Sequence, residues 1–585
     1  METFKRLKQF YWPYRRYFVG SIIFLLIVTG ITVLYPIFLQ QTIDNVVNKK
    51  HYNLAAYLAI GFIILMVFKG FAAYFQSYWS NQFGIGAVYE LRKALYKKLQ
   101  DLPFRYYDNA RTGDLMSRLT QDVEGFRNFL SFGFTQLFNF ILIVGLSLII
   151  MFSYSWQLAV VTLLMTPFLC VTVYKFDRKV HPAFRGIRKS MGRLNTRVQE
   201  NISGMNTVKA LSQENEEIDR FSEHNTDYKD QQINTALIWA KYFPFMGFIG
   251  NICVVILLGL GGHYVMTGQL SPGRLFAFFS LVWYIMGPLM DLGFLVNTFS
   301  QAKASGERLL QILDEPIEIQ SPENAVEIPI TGHVQFNNVS LIYPNETSYA
   351  LKNVTFEAKP GEVIGLMGAT GAGKTTITQL ISRFYDVTEG ELLIDGVNVQ
   401  DFNLKTLRKS IGYVLQETFL FSSTIRDNIA YGNPDASDEE IREAAKRADA
   451  HEFIMELPDG YDTVLGERGL GLSGGQKQRI SIARALIMNP SILILDDSTS
   501  AVDMQTEAKI QAAFRELMNG RTTFVIAHRI SSVQHADQII VLENGEIAQK
   551  GTHHELVNQP HGLYRRIYEI QYKDRDLLKS QVNSR

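Results

Sequence analysis

The stretch Gly368-Ala369-Thr370-Gly371-Ala372-Gly373-Lys374-Thr375-Thr376 decides the fold of the second half of this 585-residue chain. It satisfies G-x-x-x-x-G-K-[ST] at every fixed position. An apolar run, Val363-Ile364-Gly365-Leu366-Met367, leads into it, and a helical pattern from Ile377 to Phe384 follows. Strand, loop and helix in that order are the setting a phosphate-binding loop requires. Gly368, Gly371 and Gly373 let backbone N–H groups turn inward on a phosphate chain without Cβ clashes. Lys374 is placed to reach the β- and γ-phosphates, Thr375 to ligate Mg²⁺, and the helix N-terminus adds partial positive charge. Gly368, Thr370, Gly371, Ala372, Gly373, Lys374, Thr375 and Thr376 form the expected nucleoside-triphosphate contact set.

Three further stretches extend the nucleotide-binding reading. Ser491-Ile492-Leu493-Ile494-Leu495 is a continuous apolar run ending in Asp496-Asp497, which places a carboxylate at the C-terminal end of a buried strand. That is where a Mg²⁺-associated acid belongs in a P-loop enzyme. A second apolar run, from Thr523 to Ala527, ends at His528. Leu472-Ser473-Gly474-Gly475-Gln476 heads an evident helix and makes a second anion-binding N-terminus in the same half. One triphosphate does not need two such sites, whereas two domains arranged head to tail do. Tyr343, between two strand-like runs, could stack on a base or be a plain turn residue.

Working back toward the N-terminus, the composition changes character. Net charge is +0, from 57 basic and 57 acidic residues, so charge alone gives no case for a nucleic-acid partner. Six segments in the first half are long and apolar enough to cross a bilayer of about 30 Å. They lie near 17–39, 54–78, 132–154, 157–174, 236–266 and 275–296. The first is too long for a signal-peptide core. The connections after spans two and four are long and basic, including Arg92, Lys97, Arg105 and Arg118 in one and Arg178, Arg188 and Arg197 in the other. By the positive-inside rule these connections and both termini are cytoplasmic. Spans two to five are expected to continue as helices beyond the lipid. Residues 3–16 mix aromatic and basic side chains and read as an interfacial helix. Cys170 and Cys253 both fall within apolar runs and are expected to be buried, inert thiols.

Two pieces of the basic connections look like contact points at bends: residues 112–119 and 201–208. Lys69, Lys241 and Asp291 fall in or near apolar spans, which fits an aqueous cavity and fits equally a snorkelling side chain. Aromatic clusters at Phe243, Phe245 and Phe248, and at Phe276, Phe279, Trp283 and Tyr284, suit either a pocket for apolar cations or helix packing. The organisation expected is an α-helical transmembrane domain over 1–313, a Pro-containing acidic linker over 314–330 and an α/β P-loop NTPase domain over 331–585.

With these motifs in order, the chain resembles the ATP-binding cassette (ABC) exporters over essentially its whole length. Gly368 to Thr375 matches the family's Walker A loop, Asp496 its Walker B aspartate, Gln416 its Q-loop and His528 its switch histidine. Ser473, Gly474, Gly475 and Gln476 match the LSGGQ signature, Ser500-Ala501-Val502-Asp503 the D-loop and Tyr343 the aromatic that stacks on adenine. Thr463-Val464-Leu465-Gly466-Glu467-Arg468-Gly469 is similar to the exporter stretch before the signature. The two bends match the coupling helices. The resemblance implies ATP and Mg²⁺ as cofactors, with Thr375, Gln416 and Asp496 at the metal and Asp497, His528 and Gln416 serving hydrolysis.

One residue departs from the pattern: Asp497 stands where the family usually has glutamate. Its carboxylate is one methylene shorter, a positioning error that can cost about 10²-fold. The resemblance then implies the degenerate-site half of a bacterial heterodimeric multidrug exporter in the plasma membrane, partnered by a second half-transporter that carries the glutamate and acting on small hydrophobic or amphipathic compounds. A homodimeric lipid or peptide exporter and an ATP-gated conduit or regulatory ATPase are the alternatives. A nucleic-acid-handling ATPase is excluded by the membrane spans.

Overall fold

The structure, a computed structural model, describes residues 2–344, 346–415, 418–496 and 513–571. It divides into two compact units: residues 1–101 and 111–315, and residues 102–110 together with 316–585.

The first unit is helical. Its main helices are α1 (Arg15–Gln41) and α2 (Asn53–Asp101), then, past the intervening helix α3 (Phe104–Asn109), α4 (Phe134–Tyr154), α5 (Trp156–Ser203), α6 (Glu214–Met266), α7 (Pro272–Met290) and α8 (Leu292–Asp314). Among the described residues six helical stretches are long and apolar enough to cross a membrane, and they coincide with the six expected spans. Helix α2 runs 49 residues, α5 48 and α6 53. At ~1.5 Å per residue each is more than twice the ~30 Å of hydrocarbon, so these helices continue well past the lipid.

Apolar residues are exposed along the spans, as at Ile63, Ile64 and Phe71 of α2, because lipid leaves them no reason to be covered. Packing between helices combines a cluster of buried apolar side chains, among them Leu169, Met246, Phe278 and Leu281, with internal polar pairs. Ser80 Oγ of α2 lies 2.9 Å from Thr135 Oγ1 of α4, and Thr29 Oγ1 of α1 donates to Asn139 Oδ1 of α4 at 2.9 Å. Just beyond the C-terminal end of α1, Asp44 accepts hydrogen bonds from Ser271 Oγ (2.6 Å) and from the backbone N–H of Gly273 (2.9 Å).

Three expectations are revised here. The segment before α1 is not simply laid along lipid: Phe4 and Leu7 are buried, and Phe4 stacks on Phe126 and Phe299. Cys253 is buried as expected, but Cys170 is exposed on α5, a helix that turns one apolar face outward. The third revision concerns the first bend. Residues Thr112–Ser117 form a helix that runs on into the first unit, where Arg118 bonds the Arg308 backbone carbonyl and Gln311. The residues that group with the second unit are 102–110, where Pro103 ends α2 and opens α3.

Among its described residues the second unit holds two sheets. A four-stranded antiparallel sheet has the order β2–β1–β4–β5, from β1 (Val334–Leu341), β2 (Leu351–Ala358), β4 (Glu389–Ile394) and β5 (Val397–Asn398). A six-stranded sheet has the order β10–β9–β3–β8–β7–β6. Its strands are β3 (Val363–Gly368), β6 (Ile411–Val414), β7 (Ile492–Asp496), β8 (Thr522–Ile526), β9 (Gln538–Glu543) and β10 (Glu546–Gly551). All its pairings are parallel except β9 with β10. Continuous apolar runs make sense in such a sheet, because both faces are covered. Ile492 and Ile494 of β7, with Phe524 and Ile526 of β8, pack into one core, while Leu493, Leu495 and Val525 pack into the other.

Candidate functional site

The register of the six-stranded sheet assembles the site. Leu366 of β3 pairs with Ile526 of β8, and Ile526 pairs with Asp496 of β7. These three residues form one row across neighbouring parallel strands, with strands about 4.8 Å apart. The loop after β3, His528 two residues beyond the end of β8, and Asp496 at the end of β7 therefore share one carboxyl edge of the sheet. That edge, where strand β3 lies between β8 and β9, is where open α/β sheets bind ligands.

The loop itself has the backbone its glycines were expected to provide. Gly371 and Gly373 sit at φ 82° and 99°, in the region closed to most side chains. At Gly373 a Cβ would lie 2.7 Å from Leu351 Cδ2 and 2.8 Å from the Ala350 carbonyl, so no larger residue fits. At Gly371 nothing lies within 4 Å, and the loop is open on that side. Helix α9 (Lys374–Ile381) follows directly and points its N-terminus at the loop. The Lys374 side chain is buried to 6% exposure, and its ammonium donates to the Gly368 and Ala369 carbonyls at 2.9 Å each. Thr370 and Thr375 are exposed, whereas Ala372 and Thr376 are buried.

These groups fit a nucleotide polyphosphate: an open cradle, an ammonium folded along the loop and a helix N-terminus behind it. They also suit Mg²⁺, since the Thr375 hydroxyl and the Asp496 carboxylate are hard oxygen donors. Mg²⁺ characteristically takes few protein ligands and completes its shell with water and phosphate.

Around the loop, Tyr343 is held by its hydroxyl, which donates to Gln379 Oε1 (2.7 Å) and meets Thr376 Oγ1 at 3.0 Å. Its ring stands edge-on to Tyr385, 4.9 Å away, and burial raises its phenol pKa. The structure thus ties Tyr343 to α9, the helix that carries Lys374. Tyr413, whose hydroxyl lies 3.1 Å from Thr378 Oγ1, is pushed up to about 12, first by burial and further by the Asp496 charge. The His528 carbonyl accepts from Gln571 Nε2 at 2.8 Å. Gln416, Asp497 and Asp503 lie outside the described residues.

The second glycine-rich element heads helix α10 (Gly474–Ile487). Ser473 caps it reciprocally: Ser473 Oγ accepts from the Gln476 N–H (3.3 Å), and Gln476 Oε1 accepts from the Ser473 N–H (2.9 Å). Ser473 and Gly474 are exposed, Gln476 is half-buried and Gly475 is buried. The preceding stretch braces this helix, with Lys477 Nζ donating to the Arg468 carbonyl at 2.9 Å. Positive φ at Arg468 (54°) and Gly469 (72°) shapes the turn.

Helix α3 was missed by the sequence reading, although Pro103 followed by Phe104, Tyr106 and Tyr107 marks it. Phe104 stacks on Phe384 with ring centroids 4.2 Å apart. The Tyr385 hydroxyl donates to Asp108, and Arg105 pairs with Glu318 at 2.9 Å. Burial, first, and the Asp108 hydrogen bond both raise the Tyr385 phenol pKa.

Two family descriptions match the chain: "ABC transporter transmembrane region" over residues 18–289 and "ABC transporter" over residues 351–500. The chain is 60% identical over 575 residues to an uncharacterized ABC transporter ATP-binding protein, YknU, of Bacillus subtilis (strain 168), covering 98% of each. It is 36% identical to an ATP-dependent lipid A-core flippase of Syntrophus aciditrophicus (strain SB), with 98% of this chain and 95% of that one covered. It is 37% identical to the putative multidrug export ATP-binding/permease protein YgaD of B. subtilis (strain 168), at 98% of both. Among solved structures it is similar to a bacterial Atm1-family ABC exporter with ATP bound. That match has a TM-score of 0.78 and 29% identity, covering 95% of this chain and 98% of that one.

Proposed function

The chain belongs to the ABC transporter family, as a six-span exporter membrane domain fused to an ATP-hydrolysing domain, and from that membership we propose that it is the degenerate-site half of a heterodimeric multidrug exporter. The observation that carries the proposal is the pairing of Asp497, at the position of the family's usual glutamate, with an intact Ser473–Gln476 element. A shortened acid weakens hydrolysis at this chain's own site. An exposed, capped helix start at Ser473 and Gly474 suits closing over a partner's nucleotide.

In this reading the Gly368–Thr376 loop and Lys374 hold the phosphates of ATP, and Tyr343 stacks on the adenine. Thr375 and Asp496, with Gln416, hold Mg²⁺, and His528 and Asp503 complete the site. ATP, when bound, supplies the free-energy difference between an open and a closed pair of subunits. Ser473, Gly474 and Gly475 of this chain complete the partner's site, where the partner's glutamate positions water. The basic connections and both termini face the cytoplasm, and the cargo is a small hydrophobic or amphipathic compound. The similarity to a multidrug-export protein supports that cargo class. The similarity to a lipid A-core flippase favours a second reading, a homodimeric lipid exporter.

The experiment is Asp497→Glu in the complex purified from its native membrane. ATP turnover at this chain's own site should rise by at least several-fold, read with the partner's glutamate replaced by glutamine. An unchanged rate would refute degeneracy and favour the homodimer.

A further inference from the structure

Asp122, in the cytoplasmic run of span three, is a carboxylate with only 7% of its side chain exposed. Three hydrogen bonds from α8 reach it. Ser305 Oγ donates to its Oδ1 at 2.9 Å, and Arg308 donates to Oδ2 through Nε at 2.7 Å and to Oδ1 through Nη2. A guanidinium bound through two nitrogens to one carboxylate fixes angle as well as distance. Beside this contact, Arg118 donates to the Arg308 carbonyl and, at 3.2 Å, to Gln311 Oε1. The backbone of span three also runs close to α8: a Cβ on Gly125 would lie 3.3 Å from Ser305 Oγ.

Stability alone does not account for so enclosed a charge. An apolar pair of the same shape often holds two helices at least as well, because desolvation offsets much of the attraction between charges. What the ion pair adds is one allowed alignment, since slippage leaves the carboxylate buried without its donors. Asp122 also closes a π-turn, Arg118–Asp122, a rare geometry that concentrates where a helix has a task. Its place in the chain defines that task. The chain leaves the first unit after Asp101, returns at Arg111 and leaves again after Glu315. The helical run of span three begins at Thr112, directly after the return, and α8 ends at Asp314, directly before the second exit. The Asp122–Arg308 contact therefore joins the two stretches that carry the covalent connections to the ATPase domain.

We propose that Asp122 and Arg308 are positioning residues for export, whose ion pair makes the cytoplasmic ends of spans three and six one stiff piece. A push arriving through either connection then turns both spans together and is not lost in sliding between them. Both residues lie in the first unit and the phosphate-binding loop in the second, so the pair acts on the transfer of movement and not on nucleotide contacts. The inference concerns helices of this one chain, and it holds whether the partner is a different chain or a second copy.

The test uses the full-length complex in nanodiscs, in a Cys170→Ser, Cys253→Ala background, and reads distances between spin labels with and without ATP plus vanadate. One label pair, at exposed Gln121 and Ala304, follows the two joined helices; a second, at exposed Lys50 and Thr267, follows the outer ends of the spans. With the ion pair intact, the first distance should stay constant to within about 3 Å while the second shifts with nucleotide. Asp122→Asn should widen the first distribution about twofold and cut the nucleotide-shifted population of the second at least threefold, with basal ATP hydrolysis held within about twofold. Adding Arg308→Gln to Asp122→Asn should cost nothing further, because the two residues act as a unit. Arg308→Lys, which keeps the charge and loses the fork, should lose about half the shifted population. If Asp122→Asn does not fold, Arg308→Lys and Ser305→Ala, with a similar loss expected, decide the matter. A full outer shift in Asp122→Asn, additive losses in the double variant, or unchanged behaviour of both milder variants overturns the proposal.

Discussion

Gly373 shows how local chemistry and tertiary fit combine at a single position. Its φ of 99° alone makes a side chain unfavourable by about 1–2 kcal/mol. The crowding by Leu351 and the Ala350 carbonyl adds a steric cost to that strain. Gly373→Ala should therefore lower affinity for a fluorescent ATP analogue by more than tenfold, measured by equilibrium titration. Ser473 acts differently, since it is exposed and caps a helix rather than lining this chain's own loop. If the division of labour is as proposed, Ser473→Ala should depress steady-state ATPase activity of the complex more than Lys374→Ala does. The reverse order would assign the competent site to this chain. Both positions were legible in the sequence, because glycine and cap requirements are set within a few neighbouring residues. The tethering of Tyr343 to Thr376 and Gln379 was not, because more than thirty residues separate the partners.

At the level of elements, the strands β3, β7 and β8 could be read directly as buried apolar runs, yet their order across the sheet could not. Parallel neighbours are far apart in sequence, so only the register reveals that Leu366, Ile526 and Asp496 share a row. The six spans were equally plain, since a bilayer demands long apolar stretches whatever surrounds them. The bend after α2 falls several residues before the expected 112–119, because Pro103 ends the helix there and α3 follows at once. What Phe104 does depends on Phe384, nearly three hundred residues away. Aromatic stacking of this kind adds about 0.5–1.5 kcal/mol beyond burial. Phe104→Ala should leave basal ATP hydrolysis within about twofold but remove most of the cargo-stimulated increment. Comparing the two rates in proteoliposomes checks this, and full stimulation in the variant would deny α3 a role in communication.

For the whole molecule, a single chain supplies one nucleotide loop and one signature helix, and the proposal needs both kinds of contact at each site. The purified chain expressed alone should turn over ATP at less than about a tenth of the rate of the complex, measured by phosphate release. Robust turnover by the isolated chain would point to self-association. The sequence conveyed family and chemistry well because its motifs are contiguous.

Helix α2 contains no proline in its 49 residues, whereas α5 carries Pro167 and Pro182 and α6 carries Pro244. It is about 74 Å long at ~1.5 Å per residue, so roughly 44 Å extends past the hydrocarbon. The chain passes from its end straight into α3. With no proline to kink it, a shaft of that length tilts as one piece. A tilt of about 5° within the bilayer sweeps the far tip by roughly 4 Å, from the same rise per residue. Mechanical gearing of that kind lets a few ångströms of travel at one end become a small, stiff rotation at the other.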